Sequence, residues 1–366
     1  MPQRDTADSE MPKRDVLHSD MPQRDTVHWY AGPSTFYRAP ALSAGEVPAG
    51  AVAVLGAPLD SWTLGRNGQR YAPRAIREAS LYLAGYYGLQ TEPVGYVNVS
   101  DGRVWTVPEQ PRLFDAGDVR IHQGDVCAQI EAIAAPVAEI VARGAMPVVL
   151  GGDHFVPYPA FIGFARGVRE ATPNAKVGFL NIDGHFDFWD EFRDMGRLNH
   201  GTFARRISEH EAVGNMVWWG LNGTNIAEPE QLRICRERGF VAYTASSIRR
   251  RGALETMREA LEIASEGVDR VYVTFDIDAT DGAYAPGTHS IVVDGLSSGE
   301  VLAGLGVITE FESVGAFDVC EMIPQYDVGG GRTARYAAHA ILTVIGHRVL
   351  DSQPSIPRDV LDAVFR

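Results

Sequence analysis

From Ala51 onward, short apolar runs alternate with longer stretches in which apolar residues recur every three or four positions. The short runs suit strands buried on both faces, and the longer ones suit amphipathic helices, an order that predicts βαβ units around a mostly parallel sheet. Expected strands cover 51–55, 147–150, 177–182, 215–219, 240–243, 271–275 and 314–319. Pro73 fits the first turn of a helix that runs through Ile76 and Leu81. A second helix carries Val126, Ile130, Ile133, Val137 and Ile140 on one face and stops at Gly144. The last, from about Thr333 to Leu350, presents Tyr336, Ala340, Ile341, Val344 and Ile345. No Gly/Ser-rich linker divides this series, so residues 46–366 are expected to form one α/β domain with about eight strands.

Residues 1–45 break the pattern. Met1-Pro-Gln-Arg-Asp, Met11-Pro-Lys-Arg-Asp and Met21-Pro-Gln-Arg-Asp each open a ten-residue unit, giving three repeats that are polar, contain proline and have little to bury. They read as a flexible or draped arm without chemistry of its own. Over the whole chain, 45% apolar residues in 366 is ample for a core. Thirty-three Lys and Arg against 47 Asp and Glu leave a net charge of −14, which argues against a nucleic-acid or anionic-membrane partner and permits cationic small molecules. No apolar run approaches the roughly 20 residues of a membrane span, and the charged first residues lack a signal-peptide core, so a cytoplasmic protein is expected. Cys127, Cys235 and Cys320 are widely spaced and read as buried free thiols.

Polar side chains with metal-binding chemistry cluster where the apolar runs stop. His154 follows the run ending at Leu150, Asp183 follows Ile182, Asp276 follows Phe275, and Glu321 closely follows Val319. In an open parallel sheet the binding crevice lies beyond the carboxyl ends of the strands, so side chains distant in sequence converge there. The inventory is two imidazoles, His154 and His185, and four carboxylates, Asp183, Asp187, Asp276 and Asp278. Residues two apart in an extended segment point the same way, which aims Asp183 with His185, and Asp276 with Asp278, into one cavity. Four carboxylates so close would be driven toward protonation unless cations neutralised them, and two divalent ions match them charge for charge. Oxygen-rich ligation with imidazole and no thiolate suits Mn²⁺, with Ni²⁺ or Zn²⁺ as alternatives. Two such ions about 3.5–4 Å apart activate a shared water as a nucleophile, which makes a hydrolase the expected class.

With these motifs in hand, the chain resembles the ureohydrolases, the group of arginases, agmatinases, guanidinobutyrases and formiminoglutamases. The resemblance runs from about Gly56 to His347 and includes Gly56-Ala-Pro-Leu-Asp60, Gly151-Gly-Asp-His154, Asp183-Gly-His-Phe-Asp187, His200-Gly-Thr202, Phe275-Asp-Ile-Asp-Ala-Thr-Asp281 and Cys320-Glu-Met-Ile-Pro-Gln-Tyr-Asp327. It implies an arginase-like three-layer α/β/α fold, a di-manganese centre and a homotrimer or homohexamer. By matching positions, His154, Asp183, Asp187 and Asp276 would hold one ion, and Asp183, His185, Asp276 and Asp278 the other. Glu321 matches the carboxylate that receives the guanidinium, and His200 the proton-shuttling histidine. The chemistry agrees, because a carboxylate accepts two parallel bonds from a guanidinium and an imidazole of near-neutral pKa can protonate a leaving amine.

Three departures bear on substrate. Gly184 stands where alanine is usual, Phe155 follows the Gly-Gly-Asp-His run, and Gly287-Thr-His-Ser-Ile291 replaces Gly-Thr-Gly-Thr-Pro, placing His289 and Ser290 at the site. Arginine-specific members place Asn and Ser after the central motif, where this chain has Trp189, Gly196 and Leu198, so arginine is not the expected substrate. Phe186, Phe188, Trp189 and Phe192 are expected to offer aromatic walls, with Phe186 and Phe188 equally suited to the core beneath the loop, favouring agmatine, a small alkylguanidine or a biguanide over 4-guanidinobutyrate. Two other classes stay open: a metal-dependent amide deacetylase, which needs only an Asp-His-Asp set, and a non-catalytic subunit supporting an active paralogue.

Overall fold

In the central strands, neighbouring positions enter opposite apolar layers: Val148 and Leu150 pack on one side and Val149 on the other, Leu180 and Ile182 on one side and Phe179 on the other. A strand covered on both faces has no polar face to show, which is why these runs are apolar throughout. The computed structural model describes residues 32–86, 96–97, 102–222 and 227–364.

The strands are β1 (Val52–Gly56), β2 (Tyr96–Val97), β3 (Val104–Thr106), β4 (Leu113–Asp118), β5 (Met146–Leu150), β6 (Val177–Ile182), β7 (Val213–Leu221), β8 (Val241–Thr244), β9 (Arg270–Asp276), β10 (Val314–Cys320) and β11 (Asp351–Gln353). Eight of them form one parallel sheet in the order β4-β1-β5-β10-β9-β6-β7-β8. Helices Ala72–Tyr86, Ala253–Ser265, Ser298–Val307 and Arg332–Val349 cover one face. The other carries Val126–Ala142, Pro157–Ala171, Phe203–Ser208 and Pro229–Arg238, completing a three-layer α/β/α domain.

The strand order creates the crevice. After β5 the chain skips two positions to lay down β6, then returns through β9 and β10 to fill them. The carboxyl ends of β5, β10, β9 and β6 therefore lie side by side where the winding reverses, the place where open α/β sheets bind ligands.

Some features had no clear signal in the pattern. Strand β4 ends in Asp115-Ala-Gly-Asp118, too polar to read as a buried run; it is fastened instead by Arg77, whose Nε and Nη2 donate to the two Asp115 carboxylate oxygens at 2.8 and 2.9 Å. Strands β2, β3 and β11 form a small antiparallel sheet outside the main series. The repeats of the expected arm lie outside the described residues, whereas the stretch just after them packs on the domain through buried Phe36 and Tyr37. Cys127 is exposed, against expectation, because it sits on the outer side of its helix; Cys235 and Cys320 are buried. Among the described residues no helix is long and apolar enough to cross a membrane.

Candidate metal centre

The turn after β5 brings in His154. Its backbone passes so close to the Leu59 carbonyl that a β-carbon on Gly152 would fall 1.7 Å from that oxygen, so the paired glycines are a packing requirement. Strand β6 runs into Asp183, and the chain then kinks through His185 to Asp187, whose φ of 44° is left-handed. The segment is therefore not extended, yet all three side chains turn inward. Likewise Ile277–Ala279 after β9 is a 3-10 turn, in which the Asp278 N–H donates to Asp276 Oδ1 at 2.8 Å. Glu321, just past β10, also has a positive φ, 66°. Non-glycine residues held there cost of order 1–3 kcal/mol each, and such strain collects at functional sites.

These side chains meet. His154 Nδ1 lies 3.2 Å from Asp183 Oδ2, 3.2 Å from Asp187 Oδ2 and 3.1 Å from Asp276 Oδ2. His185 Nδ1 lies 3.7 Å from Asp183 Oδ1 and 3.1 Å from Asp278 Oδ2. Ligand atoms of His154, Asp183 and Asp276 fall within 4.8 Å of one another, as do those of Asp183, His185 and Asp278. Asp183 belongs to both sets, while Asp276 falls in the first.

The electrostatics favour a bound cation. Burial, then repulsion from Asp278, pushes the Asp276 carboxyl well above its ordinary range, and burial raises Asp278 despite His185 beside it. Burial also works against ionised Asp183, but His154 and His185 outweigh it and hold its carboxyl low. Burial opposes a charged His154, yet Asp276 and Asp183 raise that imidazole well above its usual value, and Asp278 does the same for His185. Among the described residues the imidazoles are the only ion-pair partners of Asp183, Asp276 and Asp278. Protons held in this way are what divalent ions displace, and the donors, carboxylate and imidazole nitrogen, fit them.

Behind His154 lies a support that sequence reasoning missed. Its Nε2 is 3.2 Å from Thr274 Oγ1; that hydroxyl donates to Asp318 Oδ1 at 2.6 Å, and Tyr272 donates to Asp318 Oδ2 at 2.6 Å. With the Thr274 proton given to Asp318, its oxygen accepts from Nε2–H, leaving the Nδ1 lone pair for a metal. The only sequence signal was the polar residues inside otherwise apolar strands.

A cavity of about 510 Å³ opens from this centre, lined in part by His185, Asp187, Asp276, Asp278 and Glu321, then by Trp189, Phe192, His200, Leu64, His289 and Ser290. Glu321 accepts from the His154 backbone N–H and from Gln69 Nε2, both at 2.8 Å. Gln69, fully buried, is another contact the sequence did not announce. His200 Nε2 is buried without a hydrogen-bond partner among the described residues, and burial lowers this imidazole's pKa.

Of the four aromatic rings, Phe186 and Phe188 take the core alternative. Phe186 and Phe188 are buried against Trp218, at 4.8 and 5.5 Å between ring centroids, because apolar rings gain more under the loop than beside carboxylates; Trp189 and Phe192 do line the cavity. Gly184 also has a reason: a β-carbon there would meet the Asp278 carbonyl at 2.8 Å and Val292 Cγ2 at 2.9 Å.

Residues 50–346 match the family described as Arginase family. The chain is 31% identical to the mitochondrial guanidino acid hydrolase of Homo sapiens over 80% of its length and 77% of that protein. It is 30% identical to the mitochondrial agmatinase of Gallus gallus, over 80% of this chain and 79% of that one. The solved structure of proclavaminate amidino hydrolase from Streptomyces clavuligerus superposes with a TM-score of 0.70 at 28% identity, covering 87% of this chain and 98% of that one.

Proposed function

The chain belongs to the arginase family, and from that premise we propose that it hydrolyses agmatine or a small alkylguanidine to an amine and urea, or a biguanide to the corresponding guanidine and urea. Membership makes it a hydrolase of C–N bonds in guanidino compounds; the identity of the guanidine is the proposal. The observation that supports this choice is the cavity wall. Metal-binding carboxylates and imidazoles share it with aromatic and aliphatic side chains, and no Lys or Arg is among the described lining residues to clamp a carboxylate.

In this reading His154, Asp183, Asp187 and Asp276 would hold one divalent ion, and Asp183, His185, Asp276 and Asp278 the other. Mn²⁺ is the first candidate and Ni²⁺ the second. The ions would supply Lewis acidity and an activated water. Glu321 keeps two acceptor positions beyond those given to His154 N–H and Gln69, and with them takes two N–H groups of the planar guanidinium. His200, kept neutral by burial, accepts the proton released as the water oxygen bonds to the guanidinium carbon. The same proton goes to the departing nitrogen when the C–N bond breaks, so the substituent leaves as an amine and the carbon as urea.

Urea release from a guanidine panel, measured with metal content, tests this. Turnover of agmatine, alkylguanidine or biguanide ahead of 4-guanidinobutyrate, with arginine last, is expected. Efficient arginine cleavage overturns the ordering, and preference for 4-guanidinobutyrate returns the chain to a guanidinobutyrase. Loaded protein that releases no urea would be a non-catalytic subunit of a paralogue. A cytoplasmic location and a homotrimer or homohexamer belong to the same proposal, checked by fractionation and sedimentation.

A further inference from the structure

One wall of the cavity carries a contact between two loops. His289 Nε2 meets the backbone carbonyl of Leu64, and His289 Nδ1 lies 2.8 Å from Ser290 Oγ. The carbonyl can only accept, so Nε2 carries the proton; in the neutral ring Nδ1 is then an acceptor, and Ser290 must donate to it. The Ser290 hydroxyl proton is thereby used inside the protein. Its oxygen lines the cavity with lone pairs only.

Nearby groups reinforce this polarity. Asn222 Nδ2 donates to the Val293 carbonyl at 2.7 Å, and no Lys or Arg is among the described residues that line the cavity. The Trp189 indole is a donor but a neutral one. A carboxylate on the substrate would meet the Ser290 lone pairs and no described cationic side chain, whereas an N–H group would find an oxygen waiting for it.

We propose that Ser290, set as an acceptor by the His289–Leu64 contact, selects guanidines whose substituent ends in N–H donors, an amine or a second amidine, over those ending in a carboxylate. The inference rests on the amidinohydrolase reading and names its substrate class.

The test compares kcat/KM for agmatine, butylguanidine and 4-guanidinobutyrate in metal-loaded wild type, Ser290→Ala and His289→Gly. Wild type should rank them in that order. Ser290→Ala should lower the agmatine-to-butylguanidine ratio about tenfold, the worth of one hydrogen bond. His289→Gly releases the Ser290 proton to donate outward and should raise the 4-guanidinobutyrate-to-butylguanidine ratio. Should His289→Gly fail to fold, the Ser290→Ala ratio still decides. Urea production with 4-guanidinobutyrate preferred, or an unchanged ratio in Ser290→Ala, overturns this selection while leaving the amidinohydrolase reading intact. No urea from any guanidine at full metal content overturns both.

Discussion

At one end of the cavity the side chains sit at or just beyond the carboxyl ends of β5, β6, β9 and β10, four strands paired side by side. At the other, Leu64, His200 and His289 come from three loops tied by single bonds: His289 to the Leu64 carbonyl, and the His200 N–H to the Trp62 carbonyl at 3.2 Å. The first end is held by ladders and by a buried network behind His154, the second by a few contacts between segments that share no strand. Metal binding needs ligands fixed to within a fraction of an ångström, which sheets provide. Substrate choice changes by exchanging loop residues, which leaves the sheet untouched.

The sharpest way to break this contrast is at the shared ligand. Asp183→Asn or Asp276→Asn should abolish turnover and lower bound metal from about two ions per chain, as elemental analysis would read. Full metal and full turnover in either variant would remove the metal assignment.

His200→Ala probes the loop end, and should lower kcat by roughly 10²–10⁴ with metal content unchanged. Because burial lowers the His200 pKa, the imidazole stays neutral until the pH drops below its ordinary range. Wild-type kcat should therefore fall on the acid side with a pKa below that of a free imidazole, and His200→Ala should lose that limb. An unaffected rate makes His200 a loop residue without a part in proton transfer.

The support behind His154 gives a smaller effect at the sheet end. Thr274→Val removes the acceptor that sets the His154 tautomer, and should weaken metal affinity by about 10–100-fold in a chelator competition. Equal affinity would mean that the imidazole is oriented by its carboxylate neighbours alone.

Trp189→Ala should do least. Loss of one aromatic face to a cation, about 0.5–1 kcal/mol, would shift the agmatine-to-butylguanidine ratio a few-fold and leave metal content alone. An unchanged ratio removes Trp189 from substrate choice.

The same division governs what could be read without coordinates. Apolar runs predicted seven of the eight main strands and helices near Pro73, Ile133 and Tyr336, because burial on both faces writes itself into consecutive residues. Strand β4 escaped, since a buried Arg77–Asp115 pair between distant segments replaces apolar content there. Whether Phe186 and Phe188 line the cavity or turn under the loop is open in the sequence, because nothing in a run of aromatic and acidic residues decides it; Trp218, on β7, does.

The chain by itself determined that carboxylates and imidazoles stand at the ends of buried strands, a matter of local period that survives any arrangement of those strands. Only the tertiary structure decided that β5, β10, β9 and β6 are neighbours, and so that these groups meet at 3.1–3.7 Å. It alone decided that Gln69 braces Glu321 and that His289 takes up the proton of Ser290. A hydrogen bond between residues 252 positions apart leaves no periodic trace, because its partners are chosen by the path of the backbone and not by the sequence around either one.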